Sequence, residues 1–123
     1  MKERVVIPTL GDEGLQAQVS EHFGRAPYFT VVDLEEKEVQ KIKAVANSGS
    51  HFGGRGHPHE EILAHHPQVI ITRGMGPRAL LGFAEAGVVV LESEAVTVEE
   101  ALTAYKEGRL RKLTEGCARH HRE

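Results

Sequence analysis

The side chains best suited to ligand chemistry in this 123-residue sequence are its eight histidines, and most of them are clustered. Five fall within residues 51–66, and two more, His120 and His121, follow the single cysteine, Cys117. Neutral imidazole is the commonest metal ligand near neutral pH, so this distribution indicates a metal-binding function. A single cysteine excludes an intramolecular disulfide and a four-cysteine metal site within one chain.

A first candidate motif, Ser-Glu-His-Phe-Gly-Arg-Ala-Pro at residues 20–27, combines a metal ligand with a cation. His22 offers an imidazole, and Arg25 offers a permanently charged guanidinium with a forked set of donors. The motif follows the first predicted strand, and ligands bind at strand ends in α/β sheets. In the alternative reading, His22 caps a short turn and Arg25 pairs with a surface carboxylate.

A second candidate motif contains Gly56, His57 and His59, at the predicted start of a helix over residues 58–66. Unpaired N–H groups and the helix dipole favour an anion at such a position. Alternatively, His57 caps the helix and His59 packs on its inner face. We interpret His65 and His66, at the other end of this helix, as structural residues whose protonated imidazoles complement the dipole.

A third candidate motif joins a predicted strand to a predicted helix through Arg73, Gly74, Met75 and Gly76. The glycines allow close backbone approach, and the helix start favours an anion. The motif lacks the third glycine of a dinucleotide fingerprint and the lysine of a P-loop. The alternative is a tight turn that needs glycine for its backbone angles.

A fourth candidate motif lies near the end of the chain, where Cys117, His120 and His121 could bind a metal together with a ligand from elsewhere. The alternative is an unstructured tail. The metal-ligand candidates of the whole sequence are therefore His22, His59, Cys117, His120 and His121.

Short apolar strands and helices alternate along the chain and must position these motifs. The pattern predicts an α/β domain over residues 1–108, with a mixed five-stranded sheet flanked by helices, followed by a basic tail over residues 109–123. The predicted strands are 4–8, 28–33, 39–45, 69–72 and 88–91, and the predicted helices are 58–66, 77–86 and 97–108.

Composition excludes several classes of function. The net charge of −3 disfavours a protein that wraps nucleic acid, and no stretch approaches the roughly 20 apolar residues of a membrane helix. The N-terminus shows no signal-peptide pattern, so we expect a cytoplasmic protein. Ser20 and His22 lack the surroundings of a catalytic serine, and among the predicted strands only one ends in a carboxylate, Asp33. These features indicate a protein that is not an enzyme.

Three parts of the sequence together resemble the dinitrogenase iron-molybdenum cofactor biosynthesis family, with its NifX-like and NifB C-terminal-domain-like members. They are the motif at residues 20–29, Gly-x-Pro-His at 56–59 and the run Val-Ile-Ile-Thr-Arg-Gly-Met-Gly-Pro-Arg-Ala at 69–79. The resemblance covers about residues 4–105. It implies a three-layer fold like that of ribonuclease H, and non-catalytic binding of iron–sulfur cofactor precursors. It assigns the cofactor to His22, Arg25, His59 and the turn from Gly74 to Gly76.

We therefore expect a protein that carries or chaperones an iron–sulfur metallocluster or an iron-molybdenum cofactor precursor. Its partners would be the proteins that donate or accept the cluster, and a homodimer would pool two copies of Cys117 and the tail histidines. Nucleic acid and membranes are not expected partners. The alternatives are a regulator that binds a small anion or nucleotide and, less favoured, a metal-dependent nuclease or hydrolase.

Overall fold

The computed structural model of the protein describes residues 2–47 and 58–113. Within these residues, three α-helices and a short 3-10 helix, Gly14–Gln16, accompany the strands of one sheet. The strands are β1 Lys2–Thr9, β2 Tyr28–Glu35, β3 Glu38–Ala46, β4 Val69–Thr72, β5 Val89–Glu92 and β6 Arg111–Lys112. The helices are α1 Pro58–Leu63, α2 Pro77–Glu85 and α3 Val98–Lys106.

The six strands form a single mixed sheet in the order β3-β2-β1-β4-β5-β6. The central strands β1, β4 and β5 are parallel, whereas β2, β3 and β6 join by antiparallel pairing. All four residues of β4 are buried, as expected for a parallel strand covered on both faces. The predicted α/β class and mixed sheet are therefore confirmed.

Alternation of side chains along the strands divides the core into two layers, one on each face of the sheet. On one face, Val6 and Ile70 pack with residues of α1 and α2, such as Ile62 and Phe83. We call this the α1–α2 face. On the other face, Val5, Ile71 and their neighbours pack with α3 and the 3-10 helix. The result is the predicted three-layer arrangement of helices, sheet and helices.

The predicted number of strands was wrong, because β6 adds a sixth strand at the edge. This strand pairs antiparallel with β5, and the N–H of buried Leu113 donates to Val90 O at 2.8 Å. Its two residues, Arg111 and Lys112, are charged and exposed, so no hydrophobic pattern marks them as a strand. The segment predicted as a basic tail, residues 109–123, thus contributes a strand to the sheet. Residues 114–123 lie outside the described ranges.

Helix α1 ends earlier than predicted, and the interpretation of the histidines that follow it needs correction. The helix ends at Leu63, and His66 has a left-handed backbone with φ of 58°. Burial lowers the pKa of His65, and the positive charges of Lys43 and Arg4 lower it further. The neutral imidazole of His65 is therefore favoured, contrary to the expectation of a protonated side chain that complements the helix dipole.

An ion pair ties β1 to β2 at the end of the sheet where β1 begins. Arg4 Nε donates to Asp33 Oδ1 at 2.7 Å, Nη2 donates to Oδ2 at 3.3 Å, and Nη1 donates to His65 O at 2.7 Å. The hydrogen bond from Arg4 is the main reason that the pKa of Asp33 is lowered. Asp33, the carboxylate singled out at a strand end, thus has a structural partner.

Replacing Asp33 with asparagine is expected to lower the free energy of unfolding by about 0.5–1 kcal/mol at pH 7, a modest loss because both side chains are about one-third exposed. The folded-state pKa lies below the ordinary 3.8, so the stabilisation is present above that pH and is lost as the pH falls through the folded value. Urea unfolding should show the difference at pH 7 and its disappearance in strong acid. The control E107Q, in the exposed pair with Arg109, should change little; a D33N loss independent of pH would contradict the ion-pair explanation.

Candidate functional site

The segments that carry the first and third motifs depart from one end of the sheet, where β3 also ends. Thr9 at the end of β1 pairs with Tyr28 at the start of β2, which pairs with Ala46 at the end of β3. Since β4 is parallel to β1, its end at Thr72 faces the same way. The same end of the sheet therefore carries the segments before Tyr28, after Ala46 and after Thr72. We call this row of strand ends the loop edge.

Core packing also places the segments before Tyr28 and after Thr72 on the same face of the sheet. Phe23 of the first motif and Met75 of the third are buried together in the core of the α1–α2 face. The ring of Phe23 lies 5.1 Å from that of Phe29 and 5.5 Å, edge to face, from that of Phe83. The structure thus brings the first motif, the third motif and α1 to one side of the loop edge.

Within the first motif, Ser20 organises the turn and leaves the functional candidates exposed. The buried Ser20 hydroxyl donates to His22 O at 2.9 Å and accepts from His22 N at 3.2 Å. The side chains of His22 and Arg25 are exposed to solvent. The turn is therefore held by serine rather than by the His22 imidazole, which is available to a ligand.

Buried polar side chains at the loop edge were not singled out by the sequence analysis. The hydroxyl of Thr9 donates to Gly11 O, that of Thr72 donates to Gly74 O, both at 2.9 Å, and that of Ser93 accepts from Ala95 N at 3.0 Å. Each hydroxyl stands at or just after a strand end and fixes the loop two residues later. In the sequence, such residues can be recognised as a serine or threonine at the end of an apolar run, because both residue types favour such local turns.

The third motif is partly buried, which changes the role of one predicted binding residue. Arg73 is half-buried, Gly74 is buried and Gly76 is exposed, whereas Met75 is only 1% exposed. The Met75 side chain is therefore part of the core, and only its backbone is left for a ligand. Neither glycine has a positive φ, so this turn does not need glycine for a left-handed backbone.

Helix α2 begins directly after this turn. Gly76 is its N-cap and supplies no side-chain acceptor, and Pro77 occupies the first turn. The N–H groups at this helix start therefore have no side-chain cap and can meet an anion.

Charge is divided between the two sides of the loop edge. On the α1–α2 side, segments 20–27 and 73–78 carry three arginines and one glutamate, a net charge of +2: Arg25, Arg73, Arg78 and Glu21. On the other side, segments 10–17 and 93–97 carry three carboxylates and no Lys or Arg, a net charge of −3: Asp12, Glu13 and Glu94. Segments 20–27 and 73–78 therefore favour an anionic ligand, whereas the first turn of α1 adds two carboxylates on the same side, Glu60 and Glu61.

The described residues contain no group of three or more histidine, cysteine, aspartate or glutamate side chains placed to hold a metal ion. His22 is the one predicted metal ligand whose side chain is described. Gly56, His57, Cys117, His120, His121 and the side chain of His59 lie outside the described part, so their assignment stays a prediction. A metal bound through His22 would therefore need further ligands. They would come from the bound cluster itself or from the residues outside the described part.

The chain belongs to the dinitrogenase iron-molybdenum cofactor family, whose pattern its residues 3–108 match. It is 29% identical over 100 residues to the uncharacterized protein MJ0580 of Methanocaldococcus jannaschii, covering 78% of this chain and 83% of the relative. Family and fold thus agree with the resemblance seen in the motifs.

Solved structures show the same fold. The apo form of the orange protein from Desulfovibrio gigas superposes with a TM-score of 0.78 at 25% identity, covering 93% of this chain and 95% of the other. A NifB candidate from Thermotoga, TM1290, gives 0.74 at 30% identity, with coverage of 91% and 94%. Within residues 2–47 and 58–113, no helix is long and apolar enough to cross a membrane.

Proposed function

We propose that this protein binds and carries an iron–sulfur metallocluster, or a precursor of the iron-molybdenum cofactor, without converting it chemically. Family membership supports the class of ligand. The structural observation that supports the position is the net positive charge of segments 20–27 and 73–78 on one side of the loop edge. Iron–sulfur clusters with thiolate or sulfide ligands carry negative charge, so this side would attract them.

In this proposal, each candidate site residue that the structure describes has a role suited to its exposure. His22 coordinates a metal of the cluster, Arg25 and Arg73 neutralise its charge, and the backbone N–H groups that follow Gly76 at the start of α2 donate to its sulfides. The N–H of Gly74 already donates to Thr72 Oγ1 at 3.4 Å. The predicted residues Gly56, His57 and His59 would close the site, and Cys117, His120 and His121 would supply further ligands. A homodimer would supply two sets of these ligands.

The proposed partners are the proteins that donate the cluster and those that accept it, in the cytoplasm and without nucleic acid or a membrane. A carrier needs a reversible site with exposed ligands, and the exposed His22 and Arg25 fit that need.

The uncapped start of α2 favours one alternative, a regulator that binds a small anion or nucleotide. A thermal-shift panel of phosphate and nucleotides tests this function, because a ligand at 100 times its Kd adds about 2.7 kcal/mol to stability. Stabilisation by a nucleotide, without cluster uptake, would favour the regulator over the carrier.

The proposed function is tested by anaerobic uptake of a synthetic, thiolate-ligated iron–sulfur cluster, followed by visible absorption and by iron and sulfide analysis. Up to one cluster per chain or per dimer is expected. Replacing His22 with alanine should weaken binding about tenfold, equivalent to the loss of about 1.4 kcal/mol. The variant C117S should show whether the end of the chain supplies a ligand.

The control for loss of an imidazole is H66N, because His66 lies in a groove at the opposite end of the sheet and asparagine tolerates its left-handed backbone. H66N should bind like the wild type. Equal binding by H22A and the wild type would remove His22 from the site. A colourless protein that takes up no cluster would contradict the carrier function.

A further inference from the structure

Asn47 directly follows β3 at the loop edge, and its buried side-chain amide donates hydrogen bonds to the first motif. The residue is 6% exposed, and its side-chain Nδ2 donates to Ala26 O at 2.8 Å and to Gly24 O at 3.2 Å. Its backbone N–H donates to Pro27 O at 2.9 Å. One residue thus makes three hydrogen bonds to the segment from Gly24 to Pro27.

The two carbonyl groups held by Nδ2 belong to the residues on either side of Arg25. Fixing both neighbours restrains the backbone of Arg25 and therefore the direction in which its side chain leaves the loop. The side chain itself is exposed, so the restraint comes from the backbone rather than from packing of the guanidinium. A loop that carries a binding group needs this kind of support, because exposed loops are otherwise mobile.

We propose that Asn47 is a positioning residue, which fixes the backbone on both sides of Arg25 and so holds this side chain toward the anionic cluster. The inference rests on the proposed function and adds to it a residue that no motif contains. The asparagine amide suits this place, because the two N–H groups on one nitrogen serve two carbonyl acceptors. A leucine of similar size has no donor, and a carboxylate would repel both carbonyl oxygens.

The first test compares N47L with the wild type in the cluster-uptake assay, using the same synthetic iron–sulfur cluster. Binding should weaken about tenfold in N47L and in the second variant N47D, while circular dichroism shows a folded protein. The matched control is S93A, which removes another buried polar group after a strand end, on the other side of the loop edge. S93A should lose stability but bind the cluster within about twofold of the wild type.

A double-mutant cycle separates positioning of Arg25 from general destabilisation. If Asn47 acts through Arg25, N47L should cost about tenfold in the wild-type background but less than about twofold in an R25A background. A merely structural role would give the same loss in both backgrounds. Equal losses would therefore overturn the proposal, even if the cluster binds as expected.

An NMR readout keeps this inference separate from the proposed function. Backbone 15N relaxation of the free protein should show that residues 24–26 are rigid in the wild type and in S93A, and mobile in N47L. If the wild type takes up no cluster, the proposed function fails, and relaxation alone decides whether Asn47 orders Arg25. Unchanged relaxation in N47L would overturn the inference in either case.

Discussion

Replacing Phe23 with alanine is expected to lower the free energy of unfolding by about 3–5 kcal/mol. The side chain is 3% exposed although it belongs to a loop, and its ring contacts those of Phe29 and Phe83. Alanine would leave a cavity between the loop and the α1–α2 face and would remove both aromatic contacts. The loss is a large fraction of the 5–15 kcal/mol that is typical of a folded domain.

Urea unfolding followed by circular dichroism measures this loss. The control L81A truncates an apolar side chain that is 59% exposed on α2, and it should change stability by less than about 0.5 kcal/mol. Because Phe23 adjoins His22, F23A should also weaken cluster binding while it is still folded. A loss below about 1 kcal/mol would show that the first motif is anchored by something other than this ring.

Most of the fold could be predicted from the sequence because its signals are local. The apolar runs of β4 and β5 are short and continuous, as in parallel strands, and glycine ends the helix before β5. The start of α3 is also recognisable, because threonine followed three residues later by glutamate is a common pattern at helix starts. In the structure, Thr97 Oγ1 accepts from Glu100 N at 3.2 Å. Such signals depend on neighbours within a few residues, which the sequence displays directly.

The elements that were missed depend on distant partners. The charged strand β6 has no apolar pattern, and its existence depends on pairing with β5 and on burial of Leu113. Met75 lies in a polar, glycine-containing motif, and nothing local shows that its side chain turns into the core. Nothing near Asn47 in the sequence marks it as important, because its acceptors at Gly24 and Ala26 lie more than 20 positions away.

The candidate site was predictable in outline, since loops at the ends of parallel strands meet at one edge of a sheet. The sequence did not indicate on which side of that edge each loop lies. That information comes from Phe23 and Met75, which turn their motifs toward α1 and α2, and from Ala17 and Ala95, which turn the acidic segments the other way. The separation of charge at the loop edge is thus a consequence of core packing.

This separation predicts that reversing two charges on the α1–α2 side will nearly abolish cluster uptake. The double variant R25E/R78E changes the net charge of segments 20–27 and 73–78 from +2 to −2, since each reversal subtracts two. Two exposed arginines become carboxylates that repel an anionic cluster, and we expect binding to weaken about 100-fold or more. Stability should change little, because both side chains are exposed.

The control K2E/K106E changes the total charge of the protein by the same amount at exposed positions away from the loop edge, at the start of β1 and at the end of α3. It should bind the cluster within about threefold of the wild type at physiological ionic strength, where distant charges are screened. Raising the salt concentration should weaken cluster binding by the wild type and reduce the difference in affinity between the wild type and R25E/R78E. Equal losses of affinity in the two double variants would mean that only the net charge of the protein matters. A loss of affinity confined to R25E/R78E would assign the cluster to the side of the loop edge where Phe23 and Met75 hold the two motifs.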